Sequence, residues 1–487
     1  MKSQAGVQLG PSGDQRPVLK GGRPWSGPFF TMNPIRITID ASHTAGSGKN
    51  TGIERVVRNL CQHLPQVAAS RGLHDTQVAT HIHRHFFAVD QLQHRGLDRM
   101  SRWEANAQAF LPQWFQAIPS FLLDRWPNPK LRKWLRPSPS HLGGYKIPHQ
   151  LYAQAVQWGR YARGGAIAPS SRELLVLPDA YWTEPGIWNT VARYRDAGAF
   201  VVTVVYDLIP LTHPQFVGER RQKKFRVYLG DLVRNSDLII AISKTVRDDV
   251  LQFIDNEMAL CSMPLCRDVR FFKLGAEIHY AEGSVRPKIA GLFSASQRNA
   301  PYLMVGSFDP RKNHHQAIDA FEQLWGEDAN LKLCLFGRKG SMCEDVIERI
   351  RNHPMLDRGL YVFHDANDAE LLQAYQHASG VLLPSIVEGF GLPIVESLWH
   401  GKKTFVSDTP IHREVGGDEC EFFDLGSPSS LANAILAWES QRKESGAWNT
   451  KASRSLPTTW EGSAEQLLDH CLDAYGARLA ISRSRAA

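Results

Sequence analysis

No run of eighteen apolar residues occurs in the 487-residue chain, so a helix that spans a bilayer is not expected. The N-terminus also lacks the apolar core of a secretory signal, which argues against secretion. Cysteine is scarce: the seven, at 61, 261, 266, 334, 343, 420 and 471, have no zinc spacing and read as reduced core thiols of a cytosolic protein. No repeat of solenoid period is present. A net charge of +7 is compatible with nucleic acid, anionic lipid or phosphorylated substrates, but no nucleic-acid reading motif or basic-aromatic RNA platform accompanies it. A P-loop is missing too. Gly48-Lys49 suggests one, yet Asn50 stands where Ser or Thr is needed and His43 where the first glycine is needed.

What is present is apolar content enough for two α/β domains of ordinary size. The most informative stretch is Leu382 to Gly401, LLPSIVEGFGLPIVESLWHG. Val381 to Leu383 reads as a buried parallel strand ending at Pro384. Gly389 and Gly391 free the backbone for positive φ and close approach to a ligand, with Phe390 between them as a stacking or packing group. Pro393 to His400 reads as a helix of about two turns, with Pro in its first turn and Gly401 at its stop. A helix N-terminus beside a glycine turn favours an anion such as a diphosphate. Glu396 is then placed to accept hydrogen bonds from ribose hydroxyls, and Glu388, in the loop, to face a sugar. The alternative is an ordinary strand–turn–helix with solvated glutamates.

Residues 1–31 are rich in Gly, Pro, Ser and charge and read as a disordered leader before Met32. Ile35 to Ala41 is a strand, and Gly52 opens an amphipathic helix that carries Arg55, a candidate for phosphate or sugar. Thr76 to Phe87 places His81, His83 and His85 at strand spacing; either they share one face that could take a metal, or that face is simply exposed. Residues 84–136 interleave cations with Trp103, Trp114, Trp126 and Trp134, which suits an anionic membrane surface or helices packed on the first domain. LLVLPD, AFVVTVVYD and SDLIIAIS then read as parallel strands, and their carboxyl ends carry Asp179 with Trp182, Asp207, and Ser243. A linker is expected at 277–300. Beyond it, strands at Tyr302, Leu331, Leu360, Leu382 and Thr404 alternate with helices, and Arg311-Lys312 sits at a strand-to-helix turn suited to neutralising a diphosphate.

TGIER, YDLIP, VGSFDPRKN and PSIVEGFGLPIVES, in that order along the chain, resemble the retaining glycosyltransferases of family 4, especially their mannosyl- and rhamnosyl-transferase branch. The resemblance covers roughly residues 33–480 and implies an α/β fold of the GT-B kind, two Rossmann-like doubly wound domains facing a cleft. The implied division is an acceptor-binding domain at 32–276 with a basic aromatic insertion at about 84–150, a nucleotide-sugar domain at 301–455, and a C-terminal helix and tail at 456–487. It implies Glu388 and Asp207 as catalytic, with Arg311, Lys312, Ser385, Gly389, Phe390, Gly391, Leu392 and Glu396 on the donor, and Gly52, Arg55, Asp179 and Trp182 on the acceptor. Tyr206 stands where many relatives have His, and Ser307 where an Arg is common, a charge that Arg311 can supply.

The function so implied is transfer of a hexose, mannose from GDP-mannose by preference, to a glycan or polyprenol-linked glycan in surface-polysaccharide synthesis. UDP-sugars and dTDP-rhamnose are the alternative donors. The nucleotide sugar is substrate, with no cofactor and no required divalent metal, and the expected location is the cytoplasm, peripheral to the inner face of the plasma membrane. An epimerase or phosphorylase of the same architecture and a catalytically silent membrane-associated scaffold are the rival readings.

Overall fold

The computed structural model describes residues 35–47, 52–82, 84–89, 165–184, 186–258, 264–278, 283–294, 299–445 and 457–486. The leader, residues 48–51, His83, Cys261 and the aromatic stretch from residue 90 through 150 lie outside them.

Eight strands form the first sheet: β1 (Arg36–Asp40), β2 (Thr76–Ile82), β3 (His85–Ala88), β4 (Ala166–Ile167), β5 (Glu173–Leu177), β6 (Phe200–Val205), β7 (Leu238–Ala241) and β8 (Val269–Phe271). Their order is β4-β3-β2-β1-β5-β6-β7-β8, parallel except for the β2–β3 and β3–β4 pairs. Successive residues of β5 and β6 point to opposite faces, so both faces need cover. Leu174, Val176, Val202 and Val204 enter one core; Leu175, Leu177, Val201 and Val205 enter the other.

The second sheet has six parallel strands: β9 (Tyr302–Val305), β10 (Leu333–Phe336), β11 (Leu360–Phe363), β12 (Gly380–Leu383), β13 (Thr404–Ser407) and β14 (Glu421–Phe423), ordered β11-β10-β9-β12-β13-β14. The same alternation divides Tyr302, Met304, Leu333 and Leu335 from Leu303, Cys334, Phe336 and Val381. Between the sheets, the stretch expected as a linker holds a short helix, Pro287–Leu292.

The last helix, Trp460–Ala486, returns to the first sheet. Its Leu467, Leu468, Leu472 and Tyr475 share a core with Val56, Val57, Leu60 and Leu64 of the Gly52–Ser70 helix. Trp460 anchors the return: its backbone N–H donates to Glu277 Oε2 at 2.8 Å and its indole N–H to the Glu277 carbonyl at 3.0 Å.

The histidine-bearing strand needs correction. Residues 76–87 form a hairpin rather than one strand, because Arg84 adopts a left-handed turn conformation (φ 71°) and His85 pairs back with Ile82. On the returning strand Phe86 and Phe87 are both buried. His81 and His85 therefore stand on different strands, and His81 Nε2 is hydrogen-bonded to Thr190 Oγ1 at 2.8 Å. No His, Cys, Asp or Glu cluster able to hold a metal occurs among the described residues. The six described cysteines are buried and unpaired, and no described helix is long and apolar enough to cross a membrane.

Candidate active site

The two glycines of the turn after β12 serve different ends. Gly391 has φ 92°, a left-handed conformation, and caps the Leu392–Trp399 helix at its N-terminal end. Gly389 is needed for space, since a Cβ there would overlap the carbonyl oxygen of Tyr206, just past β6. Ser243 Oγ, just past β7, donates to the Gly389 carbonyl at 2.9 Å. The carboxyl ends of the two sheets thus meet at this turn, where open α/β sheets bind ligands. Phe390 and Val395 extend the contact into the first sheet's core. The Phe390 side chain is packing, not a stacking platform.

Glu388 lies between two cations. Arg311 Nη1 donates to its Oε2 at 2.8 Å, and Lys312 Nζ to its Oε1. Burial alone would push the Glu388 carboxyl up, but Lys312 and Arg311 together hold it well below the usual carboxylate range. Lys312 is buried and pushed down by the same burial, with its stem laid over Gly306. Ser385 is 2% exposed and adds a side-chain hydrogen bond to Glu388, while its carbonyl accepts from Ser407 Oγ at 2.5 Å. Asp207, from the first sheet, joins this group. Burial raises its carboxyl, the Arg311 charge and the Ile209 N–H at 3.1 Å oppose that rise, and its Cβ lies against Gly389. Tyr206 is tied down by its hydroxyl, which donates to the Pro178 carbonyl at 2.5 Å.

Glu396, eight residues beyond Glu388, has other partners. Arg55 of the Gly52–Ser70 helix donates to its Oε1, and Tyr375 Oη to its Oε2 at 2.7 Å. Gly52 begins that helix opposite Leu392, with 3.9 Å between a Cβ position on Gly52 and Leu392 Cδ1. Gly52 and Arg55, expected on the acceptor, therefore border the second sheet's helix.

The other two acceptor candidates are Asp179 and Trp182. Asp179 is wholly buried and accepts from Thr44 N at 2.8 Å, Thr44 Oγ1 at 3.1 Å and Ala180 N at 2.9 Å, so it holds the backbone after β1. Trp182 packs edge-on against Tyr228 at 5.8 Å and beside Phe225 at 6.0 Å.

Three residues at the site went unread in the sequence. Glu414 accepts from Lys244 N at 2.5 Å and Thr245 N at 2.8 Å, capping from the second sheet a helix that belongs to the first. Its partners lie 170 and 169 positions away, so no local pattern betrays it. His412 is fully buried, its Nδ1 held by the Ser407 carbonyl at 2.8 Å, and it borders Gly391. Asp40, at the end of β1, is pushed up to about 8 by burial and by the neighbouring Asp179. It accepts from Tyr181 Oη at 2.7 Å and from Ser42 Oγ. The carboxylate that ends β1 was visible in IRITIDA, but nothing in that run tells a buried acid from an exposed one.

Residues 294–455 match the family described as glycosyl transferases group 1. The chain is 30% identical over 334 residues to the serotype-specific mannosyltransferase WbdA of Escherichia coli, a match covering 66% of this chain and 41% of that protein. It thus spans about two fifths of that relative's length. It is also 25% identical over 277 residues to the O-antigen chain mannosyltransferase B of Escherichia coli, covering 56% of this chain and 69% of that one. Among solved structures, sucrose-phosphate synthase (tll1590) from Thermosynechococcus elongatus superposes with TM-score 0.49 at 14% identity, covering 93% of this chain and 100% of the other. Anabaena Alr3699/HepE in complex with UDP and glucose gives TM-score 0.46 at 15% identity, covering 93% and 99%.

Proposed function

We propose that this chain, which carries a glycosyl transferases group 1 domain at residues 294–455, is a retaining glycosyltransferase that moves mannose from GDP-mannose to a glycan or polyprenol-linked glycan during surface-polysaccharide synthesis. One observation carries the reading: Glu388 joins Arg311 and Lys312 at the meeting of the two sheets, beside Asp207. A buried lysine and a half-buried arginine on one carboxylate, next to a helix N-terminus, suit a sugar joined to a diphosphate. The choice of mannose follows the mannosyltransferase names of the similar proteins.

In this mechanism the diphosphate oxygens share Arg311 and Lys312 with Glu388, while Glu388 also accepts from hydroxyls of the sugar. As the bond from the anomeric carbon to the diphosphate oxygen breaks, the negative charge left on that oxygen is met by preorganised cations. The acceptor hydroxyl approaches on the same face, its oxygen bonds to the anomeric carbon, and its proton passes to the departing diphosphate. Configuration is retained and no enzymic nucleophile is used. Asp207 orients the acceptor hydroxyl, and closure of the sheet ends keeps water from the donor. The backbone of Gly389, Phe390 and Gly391 lines the donor, as does Leu392.

The acceptor's lipid places the reaction on the cytoplasmic face of a membrane, with the chain bound peripherally. Arg220, Arg221, Lys223 and Lys224, exposed beside a 65%-exposed Val227 on one helix, support that placement. Sedimentation with anionic vesicles at low salt tests it; a chain left in the supernatant overturns it.

The functional reading is tested with the purified chain and GDP-mannose, UDP-glucose or dTDP-rhamnose, each with and without a polyprenol-linked glycan. Acceptor-dependent release of one nucleoside diphosphate, with a product of retained anomeric configuration, is expected. Release from none of them, or release independent of acceptor, overturns it.

A further inference from the structure

Glu396 is 2% exposed and held from two directions. Tyr375, which donates to one oxygen, is fully buried in the second sheet's own core. Arg55, which donates to the other, belongs to a helix packed on the first sheet. The two residues of this ion pair stand 341 positions apart. A carboxylate offers about four lone-pair directions, so two fixed donors leave capacity for a vicinal diol while removing the group's rotational freedom before a ligand arrives. An arginine serves this purpose better than a lysine, because its planar fork sets direction as well as charge. The neighbouring ties strengthen the same boundary: Ser243 to the Gly389 carbonyl, and Glu414 to the amides of Lys244 and Thr245.

We propose that Arg55 is a positioning residue for the donor's ribose, orienting the Glu396 carboxylate from the opposite sheet so that the grip on the ribose diol is complete only when the sheet ends are together. This rests on reading Glu396 as the ribose-binding carboxylate. It moves Arg55 from the acceptor, where its place in the TGIER turn suggested it, to the donor. Arg55 does not touch the reacting atoms, so its effect appears in donor binding and depends on the ribose hydroxyls.

The test compares the wild-type chain with Arg55→Met, Arg55→Lys and Tyr375→Phe, using the nucleotide sugar that the wild type turns over and its 2′,3′-dideoxyribose analogue. Arg55→Met raises KM for the ribose donor roughly tenfold or more, the size expected for losing a hydrogen bond to a charged group, with a smaller change in kcat and none in acceptor KM. Arg55→Lys recovers part of the loss. Toward the dideoxy analogue the variant and the wild type differ by less than about twofold, because the contact being oriented is already gone. Equal penalties on both donors, or a rise in acceptor KM, overturn the proposal. Should Arg55→Met fail to fold, Tyr375→Phe, which removes one hydroxyl from the same carboxylate, must show the same selectivity for the ribose donor, and an equal loss on both donors overturns the proposal. A wild type that turns over no nucleotide sugar defeats the functional reading itself, and this is seen before any variant is compared.

Discussion

The carbonyl oxygen of Tyr206 occupies the space where a side chain at Gly389 would begin. This one contact brings the carboxyl end of β6 against the turn after β12, and with it Asp207 against the Glu388 pair. Gly389→Ala must therefore push the sheet ends apart, because the opposing atom belongs to backbone. Each sheet keeps its own core, so the far-ultraviolet circular dichroism stays native. Displacement near 1 Å at the reacting centre lowers turnover about 100-fold. Native turnover in Gly389→Ala would show that the contact is dispensable.

Glu388→Gln separates charge from shape. The amide keeps the volume but no longer pairs with Lys312 and Arg311 as a carboxylate does, and nucleoside diphosphate is then free of competition for those cations. Turnover is expected to fall by about two to three orders of magnitude, the size seen when a preorganised polar contact is lost. Binding of the nucleoside diphosphate alone, measured calorimetrically, is expected to hold or tighten. A weakened diphosphate affinity would mean that Glu388 helps to build the anion site rather than sharing it.

Asp40 gives a pH dependence with a definite sign. Its folded carboxyl is raised from 3.8 to about 8 by burial and by Asp179, so at neutral pH the folded chain keeps a proton that the unfolded chain has lost. Stability from this group is full below about pH 4 and declines as pH rises to about 8. Asp40→Asn removes that decline, and its amide can still accept from Tyr181 and donate to Ser42. The melting temperature of the variant relative to wild type should rise between pH 5 and pH 9, by roughly 1 °C per kcal/mol recovered for a chain of 487 residues. A gap independent of pH would show that Asp40 is ionised in the folded chain.

Trp460 fastens the last helix to the first sheet. It is 1% exposed, bonded to Glu277 through both backbone and indole, and pressed so close to Gly275 that a Cβ there would overlap the ring. Trp460→Ala should cost about 3–5 kcal/mol in denaturant unfolding. A loss below about 1 kcal/mol would mean that the helix is held by its leucines alone.

Much of this site was legible in the chain itself. The β5, β6, β7, β9, β10, β11, β12 and β13 strands read directly as apolar runs, because a parallel sheet covered on both faces needs them uninterrupted. The Glu388 and Glu396 spacing and the Arg311-Lys312 turn were local signals, and the structure brings Glu388 to those cations. Contacts between the sheets were not legible. Glu414 capping Lys244, Arg55 on Glu396 and Tyr206 over Gly389 each join residues more than 150 positions apart, and no periodicity records such pairings. The hairpin at Arg84 was hidden for the opposite reason, since an alternating run from Thr76 to Phe87 looks the same whether it continues or folds back.

The most direct test measures acceptor-dependent release of nucleoside diphosphate by the wild-type chain and by Arg311→Ala combined with Lys312→Ala, both verified as folded. The account predicts release from a nucleotide sugar, GDP-mannose first, by the wild type and at least a 100-fold loss in the double variant, as expected when preorganised charges are removed from a leaving group. Equal release by the two proteins would contradict it.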